Sequence, residues 1–465
     1  MTTTHAPALP IGKAAVGALG ALAVATGALE SVVTPTLPLL QRELDMSPAE
    51  GALLSIVLLV TGALVTPIAG KLGDRYGGKR VVVRLMAVVC AGGLVSALAP
   101  NLPVLLLGQV LQGAMVGALP LSFILVREHL PAAESKVAIG LVSGLFVGGA
   151  MAGTLAAGPV AEGLSRHWMF ALPTFAVIGA TVLVNRLMPH DPPRRPDGTG
   201  IDWPGLVLLS GTLVTLMLVL GLASDLVAQP LALVALIVLL AAFGTGWVAV
   251  ERRAPSPMVD LRMLTRPAVG TSCVLTFLIC VGTSAATYLV PQLFAVPADA
   301  YGFGASATEI GFFLLPGALA ASLAGPISGI GVRRLGPRAV VTAGVLALTA
   351  GLLGLAAVHT EIWHLVAGKA LVGLANGLCV TAMVTSTATS VDRGDTGIAT
   401  GLVLVTRVIG FAVGVQVTGA ILTAGTPSGS KIPAESAFVT GLVLAAAVTA
   451  LSLLVLRTMS KGVKE

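Results

Sequence analysis

The chain reads as an all-α polytopic membrane protein, and three observations predict that fold class. Hydrophobic residues fill 55% of its 465 positions, and mean hydropathy is +0.96. Charged residues supply only 10%, against about 25% in soluble domains, so a soluble fold of this composition has too few polar groups to cover its surface. The apolar residues fall into successive runs long enough to cross a bilayer as helices, about 20 residues each. Glycine is abundant, 56 residues, as expected where small side chains let membrane helices approach closely without a hydrophobic drive between them.

The runs define fourteen spans. The first covers 13–38 after Lys13 and is read as an uncleaved span, because many equally apolar segments follow it. The second and third, 50–70 and 80–99, flank a glycine-punctuated charged turn, Gly70-Lys71-Leu72-Gly73-Asp74-Arg75-Tyr76-Gly77-Gly78-Lys79-Arg80. The fourth, 103–126, holds Gln109 and Gln112 between glycines, and the fifth, 137–160, holds Gly149, Gly153, Gly158 and Pro159. The sixth, 168–188, starts at Trp168 and leads into a polar, proline-rich linker, Pro189–Gly200. Spans at 203–223 and 231–250 follow, then 267–294, 308–331, 338–357, 363–388, 397–424 and 437–457.

Lys and Arg favour cytoplasmic loops. With the N-terminus inside, 22 of the 27 basic residues fall on the cytoplasmic side, Arg42, Arg166 and Lys431 fall outside, and Lys369 and Arg407 lie within spans. One miscounted early span would scramble that asymmetry. The net charge of +6 is therefore topology and not a nucleic-acid surface. Trp168 and Trp363 come at outer interfaces and Trp203 and Trp247 at inner ones, as aromatic belts expect. Cys90, Cys273, Cys280 and Cys379 sit in apolar segments without metal-ligand spacing and read as small buried hydrophobes.

Two segments repeat. Leu107-Gly108-Gln109-Val110-Leu111-Gln112-Gly113 with Gly117 matches Ala367-Gly368-Lys369-Ala370-Leu371-Val372-Gly373 with Gly377, so that Gln109 aligns with Lys369. The turn at Gly70–Arg80 is echoed by Gly329-Ile330-Gly331-Val332-Arg333-Arg334-Leu335-Gly336-Pro337-Arg338. The repeats predict two parallel six-helix bundles, 1–190 and 267–465, separated at 191–266 by a linker with two inserted helices. Parallel halves around a midplane site are the architecture of alternating-access carriers.

Several motifs resemble the 14-span drug:proton antiporter family of the major facilitator superfamily, in its actinobacterial form. The Gly70–Arg80 turn resembles the superfamily's G-x-L-x-D-R-x-G-x-[RK]-[RK]. Leu29-Glu30-Ser31-Val32-Val33-Thr34-Pro35-Thr36-Leu37-Pro38 resembles the family's span-1 segment, and the span-4 glycines its G-R-x-x-Q-G. The segment Pro120-Leu121-Ser122 through Arg127-Glu128-His129-Leu130-Pro131, then Asp202-Trp203-Pro204-Gly205, Glu251-Arg252-Arg253 with Pro257–Arg262, and Thr406-Arg407-Val408-Ile409-Gly410 follow in the family's order. Three departures stand out. Glu30 replaces the family's span-1 aspartate, Gln109 its span-4 arginine, and Thr154 the central proline of the antiporter segment.

The resemblance implies a major facilitator fold and proton-driven efflux of amphipathic or hydrophobic, drug-like molecules across the plasma membrane by a monomer with both termini cytoplasmic. It implies a small-molecule substrate, protons and lipid bilayer as partners, no nucleic acid, no cofactor and no enzymatic activity. Glu30 is the candidate proton carrier, since an acid within a span is costly and usually functional; the alternative places it solvated at the outer mouth. Lys369 either meets a polar or anionic part of the substrate or bonds carbonyls of a neighbouring helix. Arg407 either lines the cavity or plays a structural or gating part. A Glu30–Lys369 pair across the halves would break on protonation and couple proton uptake to rocking. Gln109 and Gln112 complete the proposed proton and substrate set. Gly70, Asp74, Arg75, Gly77, Arg80 and Glu128 form the expected cytoplasmic gate, with Asp74 facing a helix N-terminus near Thr396 and Arg80 pairing Glu128; ordinary inside-positive topology is the plainer reading. The alternative functions are a weakly coupled exporter or flippase-like carrier of a lipid or metabolite, consistent with the missing span-4 arginine, and a non-transporting membrane sensor.

Overall fold

The computed structural model describes residues 13–189, 202–221, 230–254, 261–391, 396–427 and 429–457. The 190–201 stretch of the proline-rich linker, Pro257–Asp260 and the last eight residues lie outside the described residues. Among the described residues thirteen helices are long and apolar enough to cross a membrane, and Trp203–Leu216 forms a shorter apolar helix. They coincide in order and place with the fourteen expected spans.

The first span breaks in two. Helix α1 (Lys13–Ser31) ends at a bend at Val32, and α2 (Val33–Glu43) continues past the expected limit at residue 38. Pro35 accounts for the break: it has no N–H to give the Ser31 carbonyl, and its ring crowds that carbonyl. Helices α3 (Pro48–Tyr76) and α4 (Gly78–Ala97) are separated by Gly77 alone. The fourth span is α5 (Leu102–Gln112), a 3₁₀ stretch at Gly113–Gly117, and α6 (Ala118–His129); α7 (Ala132–Gly163) and α8 (Arg166–Leu187) follow. The inserted pair is α9 (Trp203–Gly221) and α10 (Pro230–Glu251). After the single turn α11 (Leu261–Leu264) come α12 (Pro267–Ala295), α13 (Ala307–Leu335), α14 (Pro337–Ala357), α15 (Ile362–Thr389), α16 (Thr396–Ala424) and α17 (Glu435–Val455).

By packing, the chain divides into one unit of Met1–Val33 with Val57–Ile201 and a second of Thr34–Ile56 with Asp202–Glu465. In the first, α1 packs on α7 and α8, and α4 on α5 and α8. In the second, α12 packs with α15, α16 and α17, α13 with α15, and the α9–α10 pair joins the side of α16. Of α10, only Glu251 is buried, as suits a helix that presents apolar side chains to lipid on most of its circumference.

The repeat seen in the sequence has a packing equivalent within each unit. A Cβ added to Gly108 would stand 2.2 Å from Ser96 Oγ of α4, and one on Gly368 would stand 2.5 Å from Leu355 of α14. Gly113 and Gly117 press on Thr61 and Ala69 of α3; Gly373 and Gly377 press on Gly317 and Ala321 of α13. The matching turns also agree. Gly77 (φ 90°, ψ 133°) and Gly336 (φ 83°, ψ 158°) are single-residue links between helices, in a region of backbone space that side chains oppose.

Candidate functional site

Glu30 lies half-buried near the end of α1. The glycines of α7 position that stretch of α1. A Cβ on Gly149 would stand 2.1 Å from the Val24 carbonyl oxygen, and one on Gly153 2.3 Å from that of Ala28. From the α1 side, Gly27 meets the Phe146 carbonyl oxygen at 2.2 Å in the same sense, and the Ser31 hydroxyl donates to the Ala150 carbonyl at 2.7 Å. Backbone thus meets backbone over the two turns before Glu30, and the Ser31 side chain ties the residue after it to α7. Gly158 is buried further along, and Pro159 stands exposed inside α7.

Gln109 and Gln112 are buried to 1% and 0% exposure between α5 and α4. The Gln112 amide donates to Ser96 Oγ at 2.6 Å, and Gln109 donates to the same atom at 3.4 Å. Their visible bonds tie two helices of one unit together. Gln112 Oε1 is buried without a partner among the described residues.

At the charged turn, Gly70, Asp74 and Arg75 occupy the last turns of α3, and Gly77 makes the link to α4. Lys79 is buried and donates to the Met188 carbonyl at 2.6 Å, closing the turn onto the end of α8, whereas Arg80 is exposed. The side chains of Asp74, Arg75, Glu128 and Thr396 lie outside the described set, and with them the expected contacts of Asp74 with the helix end near Thr396 and of Arg80 with Glu128.

Lys369 and Arg407 belong to the second unit. The Lys369 stem passes Gly317, where an added Cβ would stand 3.0 Å from Lys369 Cγ, and its ammonium donates to Thr287 Oγ1 at 2.9 Å. The ammonium therefore meets a neutral hydroxyl, and Lys369 makes no ion pair among the described residues. Thr287 lines a cavity of about 50 Å³ together with Thr34, Leu37, Ser55, Tyr288 and Phe411. Arg407 is exposed and stands one and two turns before Phe411 and Val415, two residues of that cavity wall. Gly410 and Gly414, on the adjoining face of α16, press against Phe277 and Val281 of α12.

The sequence reading missed a polar cluster where 34–56 joins the second unit. The α2–α3 turn is built by Ser47 and Glu50: the Ser47 N–H donates to Glu50 Oε2 at 2.8 Å and the Glu50 N–H to Ser47 Oγ at 3.2 Å, a reciprocal helix cap. Asp45 takes φ 52° there, a conformation that aspartate tolerates better than most side chains. Thr423 Oγ1 accepts from the Ala49 N–H at 3.0 Å, the Tyr288 hydroxyl donates to the Pro48 carbonyl, and the Gln292 amide donates to Gln41 Oε1. Arg42 donates to the Ala295 carbonyl at 3.2 Å, and Lys431 pairs with Asp45 at 2.6 Å. Gln41, Arg42, Asp45, Gln292, Thr423 and Lys431 help line an open cavity of about 630 Å³, within the size range of small-molecule pockets. The hydrogen bond and charge of Lys431 hold the Asp45 carboxyl below its ordinary value of 3.8. One sequence signal pointed here: Arg42 and Lys431 are two of the three basic residues at odds with the charge rule.

A repeated helical architecture and glycine-mediated helix contacts define a polytopic helical membrane protein. The sequence pattern of the Major Facilitator Superfamily matches residues 19–258 and 272–465. The chain belongs to that family. It is 26% identical over 407 residues to an uncharacterized MFS-type transporter of Mycobacterium tuberculosis, covering 86% of this chain and 58% of that protein's length. It is 27% identical to a multidrug resistance protein B homolog of the same organism (78% and 67% covered) and 27% identical to a uridine/deoxyuridine transporter of Lactococcus lactis (74% and 73%). Among solved structures it resembles the nucleoside transporter NupG, with a TM-score of 0.67 at 11% identity over 96% of this chain and 98% of that one. It also resembles a bacterial homolog of the human lysosomal transporter Spinster, with a TM-score of 0.67 at 16% identity over 96% and 97%.

Proposed function

We propose that the protein exports amphipathic or hydrophobic small molecules from the cytoplasm across the plasma membrane by alternating access, using the proton gradient. The observation that carries this reading is Glu30. Among the described residues it is the acid well inside a span, in the broken Lys13–Glu43 segment, and it sits where α1 is clamped to α7 through Gly149 and Gly153. A carboxylate there is costly to keep in a membrane unless it does work. The relative named as a multidrug resistance protein supports drug-like substrates. The charged turn at Gly70–Arg80 serves as the cytoplasmic gate, with the basic loops on the inner side.

The test is transport by proteoliposomes under an imposed proton gradient, read with a pH-sensitive dye while a lipophilic test compound is added. Proton movement that needs both the compound and Glu30 supports the reading. Compound movement without proton movement selects the second reading, a weakly coupled exporter of a lipid or metabolite. Gln109 favours that second reading: at the position of the resembling family's arginine it spends its amide on Ser96.

A further inference from the structure

Among the described residues, three ionisable side chains lie inside spanning segments: Glu30 in Lys13–Glu43, Lys369 in Ile362–Thr389 and Arg407 in Thr396–Ala424. In α12 to α17 the only carboxylates are Glu309 and Glu435, each in the first turn of its helix. The second unit thus carries two cations deep in its spans and no acid at that depth. Charges held away from bulk water need a counter-charge.

The local hydrogen bonds say where one would go. Around the small cavity, the hydroxyls of Ser55, Thr287 and Tyr288 already donate to the carbonyls of Gly51, Thr283 and Pro48. Lys369 has three N–H donors and, among the described residues, spends one, on Thr287. Arg407 has five, and none meets a hydrogen-bond partner among the described residues. Besides the neutral Thr34 hydroxyl, the donors left over near this wall are the charged groups of Lys369 and Arg407. The cavity, about 50 Å³, suits a headgroup and not a whole drug-sized ligand, which needs roughly 300 Å³ or more.

We propose that the transported molecule is an anionic amphiphile, whose single carboxylate, sulfonate or phosphate group binds between Lys369 and the Arg407–Phe411–Val415 face of α16. The inference rests on the carrier reading but not on export or proton coupling. It excludes the lipophilic cations that a lone membrane carboxylate would favour.

The experiment is equilibrium binding to the purified full-length protein in detergent, with three dyes: 8-anilinonaphthalene-1-sulfonate, its uncharged analogue N-phenyl-1-naphthylamine, and the cation rhodamine 6G. The sulfonate should bind at least about tenfold tighter than the uncharged analogue, the scale of one charged hydrogen bond. Lys369→Gln should remove that preference and leave N-phenyl-1-naphthylamine unchanged, while Lys369→Arg keeps most of it. Equal binding of sulfonate and amine, tighter binding of the cation, or no binding of the sulfonate to the wild type each overturns the proposal, and none of these needs a variant to fold. An unchanged preference in a folded Lys369→Gln protein overturns the role of Lys369. Displacement of the sulfonate by phosphatidylglycerol but not phosphatidylcholine supports the proposal with lipid as the anion's source; sulfonate binding that neither lipid displaces supports a free anion. Failure of export in proteoliposomes, with the dye preference intact, overturns the function above and leaves this inference standing.

Discussion

Asp45 and Lys431 lie 386 positions apart and meet at 2.6 Å. Both side chains are largely exposed, 79% and 84%, so the pair is screened by salt and adds little to global stability. Its effect is local: it ties the α2–α3 turn to the loop before α17. Lys431 lowers the Asp45 pKa below 3.8, first through its hydrogen bond and then through its charge. A carboxylate with a lowered folded-state pKa contributes while it is ionised, and the contribution is lost as pH falls through the folded-state value. Hydrogen exchange across residues 43–50 should therefore stay constant from pH 8 to pH 5, after correction for intrinsic rates, and rise only below about pH 4. Asp45→Asn should show the faster exchange at every pH, and high salt should mimic it in the wild type. A wild-type turn that loosens between pH 7 and 5 would contradict this account.

Gly148 and Gly149 are neighbours with opposite surroundings. An added Cβ meets nothing within 4 Å at Gly148, but at Gly149 it would lie 2.1 Å from a backbone oxygen of α1. Gly149→Ala must push α1 and α7 apart, at about 1–3 kcal/mol for overpacking. Gly148→Ala should be neutral or stabilise by up to about 1 kcal/mol through helix propensity. Melting of the detergent-purified variants should fall clearly for Gly149→Ala and hold or rise for Gly148→Ala. Equal melting would mean that the helices can separate at no cost.

The spans and the two-fold repeat were legible because each leaves a local mark: runs of about 20 apolar residues, and glycines recurring at fixed spacing. Gly113 and Gly373 could be aligned before their contacts with α3 and α13 were seen. The break at Val32 was also written locally, in Pro35, but the apolar run continues across it and hid it. The pairing of 34–56 with the second unit left no such mark. Gln41 with Gln292, Ala49 with Thr423 and Asp45 with Lys431 are single contacts between distant positions, with no periodicity to announce them. The site was partly legible for the same reason. Lys369 stood out as a charge in an apolar run, whereas Thr287, which accepts its hydrogen bond, is one threonine among many.

Gly77 and Gly336 test the repeat at the level of backbone strain. Both sit at positive φ with ψ of 133° and 158°, where residues with a Cβ pay about 1–3 kcal/mol. Gly336 has nothing within 4 Å of an added Cβ, so Gly336→Ala isolates the backbone cost. That variant should lose stability by about 1–3 kcal/mol, while Gly329→Ala, in a helix with equally open surroundings, should not. Equal stability of the two would show that the α13–α14 link relaxes to an ordinary conformation.

Glu30 offers the sharpest separation of function from fold. Contacts of Gly27, Gly149 and Gly153 position this stretch of α1. Glu30→Gln keeps shape and length and removes only the ionisable proton. The variant should fold and melt like the wild type and bind N-phenyl-1-naphthylamine as before, yet lose substrate-linked proton movement in proteoliposomes by at least about tenfold, the lower range of effects for a positioned acid–base group. Glu30→Asp should restore part of it, because the acid returns at a slightly shorter reach. If Glu30→Gln still moves protons with substrate, another group carries them. If it merely unfolds, the carboxylate is a structural partner within its unit and the coupling assignment fails.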